Sequence, residues 1–214
     1  MKKIILVSLV ILTLILAASP AMAAEPEKAL IVYFDYSENI NTEGLDIDAV
    51  SQASIAEPER YRDRSNVLVM ADMLKECTGA EVYALHITEP YAPKFEDMVD
   101  GAQTDKNENR QFSFAEELPE WKEYDTIYFL SPIWWYTMPQ PVRSFFQQVD
   151  LSGKQLAYFS INRGSGNSGI LKELAEFQPD MEIFAQYSLS AMIDNEAAQK
   201  EFTEYLDTQD WLKK

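Results

Sequence analysis

Short runs of β-branched and aromatic residues alternate with helix-length stretches along this chain, and that alternation restricts the fold more than any other feature. Strand-like runs fall at Leu30–Asp35, Glu81–Ile87, Thr126–Ser131 and Gln155–Ile161, with a weaker one at Glu182–Leu189. Helical stretches fall between them, at Asn66–Thr78, about Pro141–Gln148, Gly169–Phe177 and Asn195–Leu206. The first is the clearest: Val67, Met70, Ala71 and Leu74 recur at helical spacing, Ser65 can cap its start and Gly79 can end it. Strands separated by helices of this length predict parallel βαβ units, hence a doubly wound α/β sheet. Asn41–Arg64 and Glu89–Trp121 are long, polar and poorly periodic, and read as excursions at the sheet edge, with Phe95–Met98 able to start a helix in the second.

The first 23 residues read as a leader rather than as part of that fold. Lys2 and Lys3 precede the apolar run Ile4–Ala18, which ends in Ser19, Pro20 and the small-residue sequence Ala21-Met22-Ala23. This is the pattern of a secretory signal peptide cleaved after Ala23. The run is shorter than the roughly 18 apolar residues of a spanning helix, no cysteine lies near the cleavage point and no twin Arg precedes it. The expectation is export to a periplasm or the outside, with residues 24–214 forming one domain and no stable membrane insertion after cleavage.

Charge and the reactive residues narrow the chemistry. The chain has 18 basic and 35 acidic residues; two Lys leave with the leader, which takes the formal net charge from −17 to −19. Nucleic acid and anionic lipid are repelled by such a surface, whereas a basic protein partner is steered toward it. Cys77 is the only cysteine, so no intrachain disulfide can form, and His86 is the only histidine, so no Cys/His metal cluster can be drawn.

In a doubly wound sheet the ligand crevice lies beyond the carboxyl ends of the strands, where the winding reverses. Three loops should gather there: one after the first strand with Ser37, Glu38 and Asn39, one after the third reading SPIWWYTMPQPV, Ser131 to Val142, and one after the fourth reading NRGSGNSG, Asn162 to Gly169. With LIVYF before the first loop and SNVLVMADMLKECTGAE over the first helix, this order of segments resembles the flavodoxins. The nearest resemblance is to the branch whose second loop reads Pro-x-Trp-Trp and whose third reads Gly-Ser-Gly. It implies a flavodoxin-like three-layer sandwich, a five-stranded parallel sheet of order 2-1-3-4-5 with helices on both faces. It also implies noncovalent FMN and electron transfer with a redox protein partner.

The resemblance assigns the cofactor contacts to Ser37, Asn39, Ser65 and Asn66, to Pro132, Ile133, Trp134, Trp135 and Tyr136, and to Asn162, Gly164, Ser165 and Gly166. Each assignment is physically reasonable. Backbone N–H groups at a helix start, with small hydroxyls and amides, can hold a phosphate without Lys or Arg; the same residues can also make an ordinary polar turn with Ser65 as a helix cap. Trp134 and Trp135, held by Pro132, Pro139 and Pro141, offer flat faces for a flavin ring, and in extended backbone one would stack while the other packs inward. The glycines would let backbone N–H groups approach the flavin's pyrimidine carbonyls closely.

The chain departs from the family pattern in three places. Ser65-Asn66-Val67 stands where many members have Gly-Asn-Thr, so Val67 brings no hydroxyl. Tyr136 stands where Gly usually follows the paired tryptophans, which hinders a backbone flip there. Residues 41–64 are an insertion in which Arg60, Arg62 and Arg64 sit among acids. An acidic shell and a stacked indole both disfavour added negative charge and so lower a flavin's reduction potential. The functional classes left standing are an exported FMN electron carrier or small FMN oxidoreductase, and a cofactor-free binding module on the same fold. A serine hydrolase is excluded by pattern: in Gly166-Asn167-Ser168-Gly169, Ile170 occupies the position of the last Gly of a nucleophile elbow, and His86 precedes the serine.

Overall fold

A computed structural model describes residues 28–40 and 65–212. The leader, the insertion at 41–64 with its three arginines, and the last two residues lie outside the described residues. Five parallel strands form one sheet in the order β2-β1-β3-β4-β5: β1 Ala29–Tyr33, β2 Glu81–Ala84, β3 Thr126–Pro132, β4 Gln155–Asn162 and β5 Glu182–Ser190. Their register runs Val32 beside Tyr83 and Phe129, Phe129 beside Tyr158, and Tyr158 beside Gln186. This is the flavodoxin-like α/β sheet that the resemblance implied.

Burial explains which runs became central. Every residue of β3 is buried and β4 is buried from Leu156 onward, as expected of parallel strands covered on both faces. Alternate side chains divide the core. Leu30, Val32, Phe34, Phe129 and Tyr158 face one layer, made by α2 Phe95–Glu108, α3 Gln140–Gln148 and α4 Ile170–Phe177. Ile31, Leu130, Phe159 and Leu189 face the other, made by α1 Asn66–Thr78 and α5 Asn195–Asp207. The caps of α1 are those expected: Ser65 Oγ accepts from the Leu68 N–H at 3.2 Å, and Gly79, at φ +67°, closes the helix with its N–H on Lys75 O at 2.8 Å.

Two segments differ from the sequence reading. The second strand stops at Ala84: the Leu85 N–H still bonds Tyr33 O of β1, but Leu85 O, His86 O and the Ile87 N–H engage the neighbouring loops. Residues 89–121 are not a plain excursion: α2 occupies fourteen of them and completes one helical layer. Only Met98, Ala102 and Asp105 of α2 are buried and Lys94 provides no side-chain cap, so the helix carries too narrow an apolar stripe to show as periodicity. Among the described residues no helix is long and apolar enough to cross a membrane.

Candidate functional site

The winding of the sheet reverses between β1 and β3, and the loops after β1, β3 and β4 meet above that point. Backbone bonds tie them to the strand ends, from Phe34 N–H to Leu130 O at 2.9 Å and from Ile133 N–H to Ile161 O at 2.8 Å.

Asp35 governs the first loop. It is fully buried at the end of β1 and starts a short 3-10 turn over Tyr36–Glu38. Its Oδ1 accepts the Ser37 N–H at 2.8 Å and the Ser37 hydroxyl; its Oδ2 accepts the Ser65 hydroxyl. Burial pushes its pKa up, the serine hydrogen bonds pull against that, and the net direction is upward. Asn39 braces the same loop: its amide donates to Asp35 O at 2.8 Å and to Leu85 O at 3.1 Å, and its Oδ1 accepts from the Ile87 N–H at 2.8 Å. Asn66, buried at the start of α1, donates to Ile193 O at 3.2 Å, and among the described residues its Oδ1 has no partner.

The second loop departs from extended backbone immediately after β3. Trp134 and Thr137 exchange both backbone hydrogen bonds at 3.0 Å, and the residues between them, Trp135 and Tyr136, take φ of +50° and +61°. A tight turn with two left-handed central residues ordinarily favours Gly or Asn. Here it is braced from outside: Lys106 Nζ donates to Trp135 O at 2.9 Å, and the Thr137 hydroxyl donates to Glu173, itself paired with Arg143 at 2.7 Å. The two tryptophans consequently separate. Trp134 is buried, edge-on to Phe34, Tyr36 and Tyr91 with centroids 5.3–5.8 Å apart, while Trp135 is 37% exposed and Tyr136 75%.

In the third loop the glycine N–H groups face inward. Asn162 Oδ1 accepts from Gly164 N–H at 2.8 Å and Gly166 N–H at 3.1 Å, while its amide donates to Ser188 Oγ and Leu189 O on β5. Gly164 and Gly166 take φ of +94° and +57°, which is the reason for glycine there.

Between the second and third loops and α2 lies a cleft of about 310 Å³, at the lower end of the range for small-molecule sites. Phe95, Met98, Val99 and Ala102 form one wall; Ile133, Trp134, Trp135 and Tyr136 form another; Ile161, Arg163, Gly164 and Ser165 complete it. Mostly apolar walls with one guanidinium at the rim suit a flat conjugated ligand carrying polar edges.

Residues 61–209, more than half of the chain, match the family described as Flavodoxin. The chain belongs to the flavodoxin family. Among solved structures it is similar to a flavoprotein in complex with FMN from Lactobacillus acidophilus NCFM, at 14% identity and TM-score 0.55, covering 83% of this chain and 99% of that one. A candidate flavoprotein from Bacteroides eggerthii DSM 20697 is similar at 17% identity and TM-score 0.58, covering 85% and 99%. Another from Bacteroides uniformis ATCC 8492 is similar at 19% and 0.58, covering 83% and 98%. At these identities the structures show the shared fold. No curated protein matches the sequence.

Within this flavodoxin the structure brings Ile133, Trp134, Trp135, Tyr136, Gly164 and Ser165 to one cleft, with Pro132 ending the strand beneath it. Ser37, Ser65 and Asn66 gather around the start of α1, and Asn39 and Asn162 brace loops. Sequence reasoning missed three contributors. The sequence pattern makes Asp35 the last residue of a strand; the signal for its role is an acid closing the apolar run LIVYF. Arg163 is hidden among the small residues of NRGSGNSG, and the α2 wall lies in a segment without clear period.

His86 and Ser168 are used elsewhere. His86 bridges Glu116 at 2.9 Å and Glu38 at 3.4 Å; burial lowers its pKa, but the two carboxylates outweigh that and hold it above the ordinary value. The Ser168 hydroxyl donates to Ser165 O. Among the described residues no group of three or more His, Cys, Asp or Glu is placed to hold a metal.

Proposed function

We propose that this flavodoxin binds FMN and moves electrons, as an exported carrier or a small FMN oxidoreductase. The observation that carries the reading is the cleft at the winding reversal, walled by the Trp135–Tyr136 turn and by α2.

The residues fit the ring end of FMN. Ile133, Trp135, Met98 and Val99 present apolar surface, and the buried Trp134 Nε1 has no partner among the described residues. When bound, the flavin supplies the one- and two-electron chemistry. The chain excludes water from the ring, orients it between two braced loops, and sets its electrostatics. Arg163 favours negative charge in the cleft, and the acidic surface opposes it. At the phosphate end Ser37 and Ser65 meet on the Asp35 carboxyl, and Asn66 follows Ser65 at the start of α1.

Export rests on the leader pattern of residues 1–23, and a redox partner with a basic docking face rests on the formal net charge of −19 that remains without the leader. One observation favours a second reading, a cofactor-free binding module: Asp35 already takes the hydroxyls that would serve a phosphate. Titrating FMN with the protein from Ala24 onward separates the two. Flavin fluorescence that quenches to saturation at one flavin per chain supports the redox reading. Silence of FMN, riboflavin and FAD at micromolar protein overturns it in favour of the module.

A further inference from the structure

The feature that a phosphate cradle does not need is an anion of its own. Asp35 lies two residues beyond β1, wholly buried as the cap of the 3-10 turn, and holds three donors: the Ser37 N–H, the Ser37 hydroxyl and the Ser65 hydroxyl. These are the kinds of group, at the start of α1, on which a phosphate oxygen would rest. Asp35 is fixed there from several sides. Asn39 ties its backbone carbonyl to the end of β2, and the Ser65 hydroxyl is itself held as the cap of α1 by the Leu68 N–H. The Asp35 backbone is thus fixed at a strand end, and one of the donors to its carboxyl is fixed in a helix cap.

Two anions sharing one set of donors in a dry site do not both ionise; one of them retains a proton. Among the described residues the charged side chain that bears on Asp35 is Glu38 on the same turn, and it is engaged by His86 at 3.4 Å. Glu38 adds to the pressure against a further negative charge. Burial of Asp35 acts in the same direction, favouring its neutral acid. As a neutral acid Asp35 changes role: its hydroxyl becomes a donor, and the serine hydroxyls are released to turn toward a ligand.

We propose that Asp35 is a specificity-determining residue at the phosphate end of the site, admitting the FMN phosphate only together with one proton from solvent. The inference rests on the FMN reading above and deepens it. The proton balance is simple: ionised Asp35, dianionic FMN and one hydrated proton give a complex with one proton between carboxyl and phosphate. Riboflavin, which ends in a hydroxyl, has no such requirement.

The test is FMN and riboflavin affinity measured from pH 7 to 9, above the second phosphate pKa of about 6. The expected result in the native protein is an FMN Kd that rises toward tenfold per pH unit, because one proton is taken up with each FMN, while the riboflavin Kd stays level. In Asp35→Asn the FMN Kd should be level too, and tighter than native at pH 9. Calorimetry of the native protein in two buffers of different ionisation enthalpy reads the same linkage without a variant, as uptake approaching one proton per FMN at pH 9. FMN that binds with a level Kd and no proton uptake overturns the role of Asp35 and leaves the FMN reading standing. Silence of both flavins overturns both.

Discussion

At Trp134 and Trp135 two adjacent residues of one type have been given different work, and mutation should separate it. Trp134 is buried against three aromatic rings; Trp134→Ala should cost about 3–5 kcal/mol of stability, read as a lowered urea midpoint. Trp135 lies on the cleft wall and is 37% exposed. Trp135→Ala should leave the midpoint nearly unchanged and raise the FMN Kd roughly tenfold or more, about 1.4 kcal/mol. Unchanged flavin affinity in both variants would remove tryptophan stacking from the account. Tyr136, at φ +61°, bears the cost of a left-handed turn without glycine. Tyr136→Gly should therefore raise stability by about 0.5–1 kcal/mol in urea denaturation, the relief of strain exceeding the added freedom of the unfolded chain. A loss of stability would mean that the Tyr136 ring contributes packing beyond its exposed position.

Among the elements, α1 connects the fold to the site most directly, since Ser65 both caps the helix and donates to Asp35. Ser65→Ala removes the cap, worth about 1 kcal/mol, and leaves one oxygen of a buried carboxyl without its donor, worth about 1–3 more. The expected loss is about 2 kcal/mol or more in urea, largely restored by Ser65→Thr, which keeps the hydroxyl. A loss well below 1 kcal/mol would show that Asp35 has found another donor. The number of buried side chains did not decide which helices were legible: α5 buries only Ala198, Phe202 and Leu206 in thirteen residues, but all three are apolar and four apart. In α1, Val67, Met70, Ala71 and Leu74 announce a buried stripe, whereas one of the three side chains that α2 buries is Asp105, and that helix was legible only at Phe95–Met98. The same limit concealed the cleft wall, because Met98, Val99 and Ala102 acquire meaning only opposite Ile133 and Trp134.

For the whole molecule, charge is the dominant variable. With 35 acidic against 18 basic residues, self-repulsion opposes the compact state, and ion pairs such as Lys28–Glu123 and Lys172–Glu176 lie at the exposed surface. Raising NaCl from about 10 mM to about 150 mM shortens the screening length from about 30 Å to about 8 Å. The thermal midpoint of the flavin-free protein should rise over that range, whereas association with a basic redox partner should weaken. A midpoint that falls with salt would mean that the ion pairs outweigh the net repulsion.

The strand and helix alternation by itself determined the doubly wound sheet, because strands of buried, β-branched character joined by helices can be wound in few other ways. The three loops were likewise legible as loops, since Gly, Pro, Asn and Ser at strand ends favour turns. Only the tertiary structure decided what each polar group faces. Ser37 and Ser65 are 28 positions apart in sequence yet meet on one carboxylate, and the Gly164 and Gly166 N–H groups turn to Asn162 rather than outward. Periodicity records which side of an element is buried, but hydrogen bonding depends on direction and distance between elements, and those exist only once the sheet has been assembled.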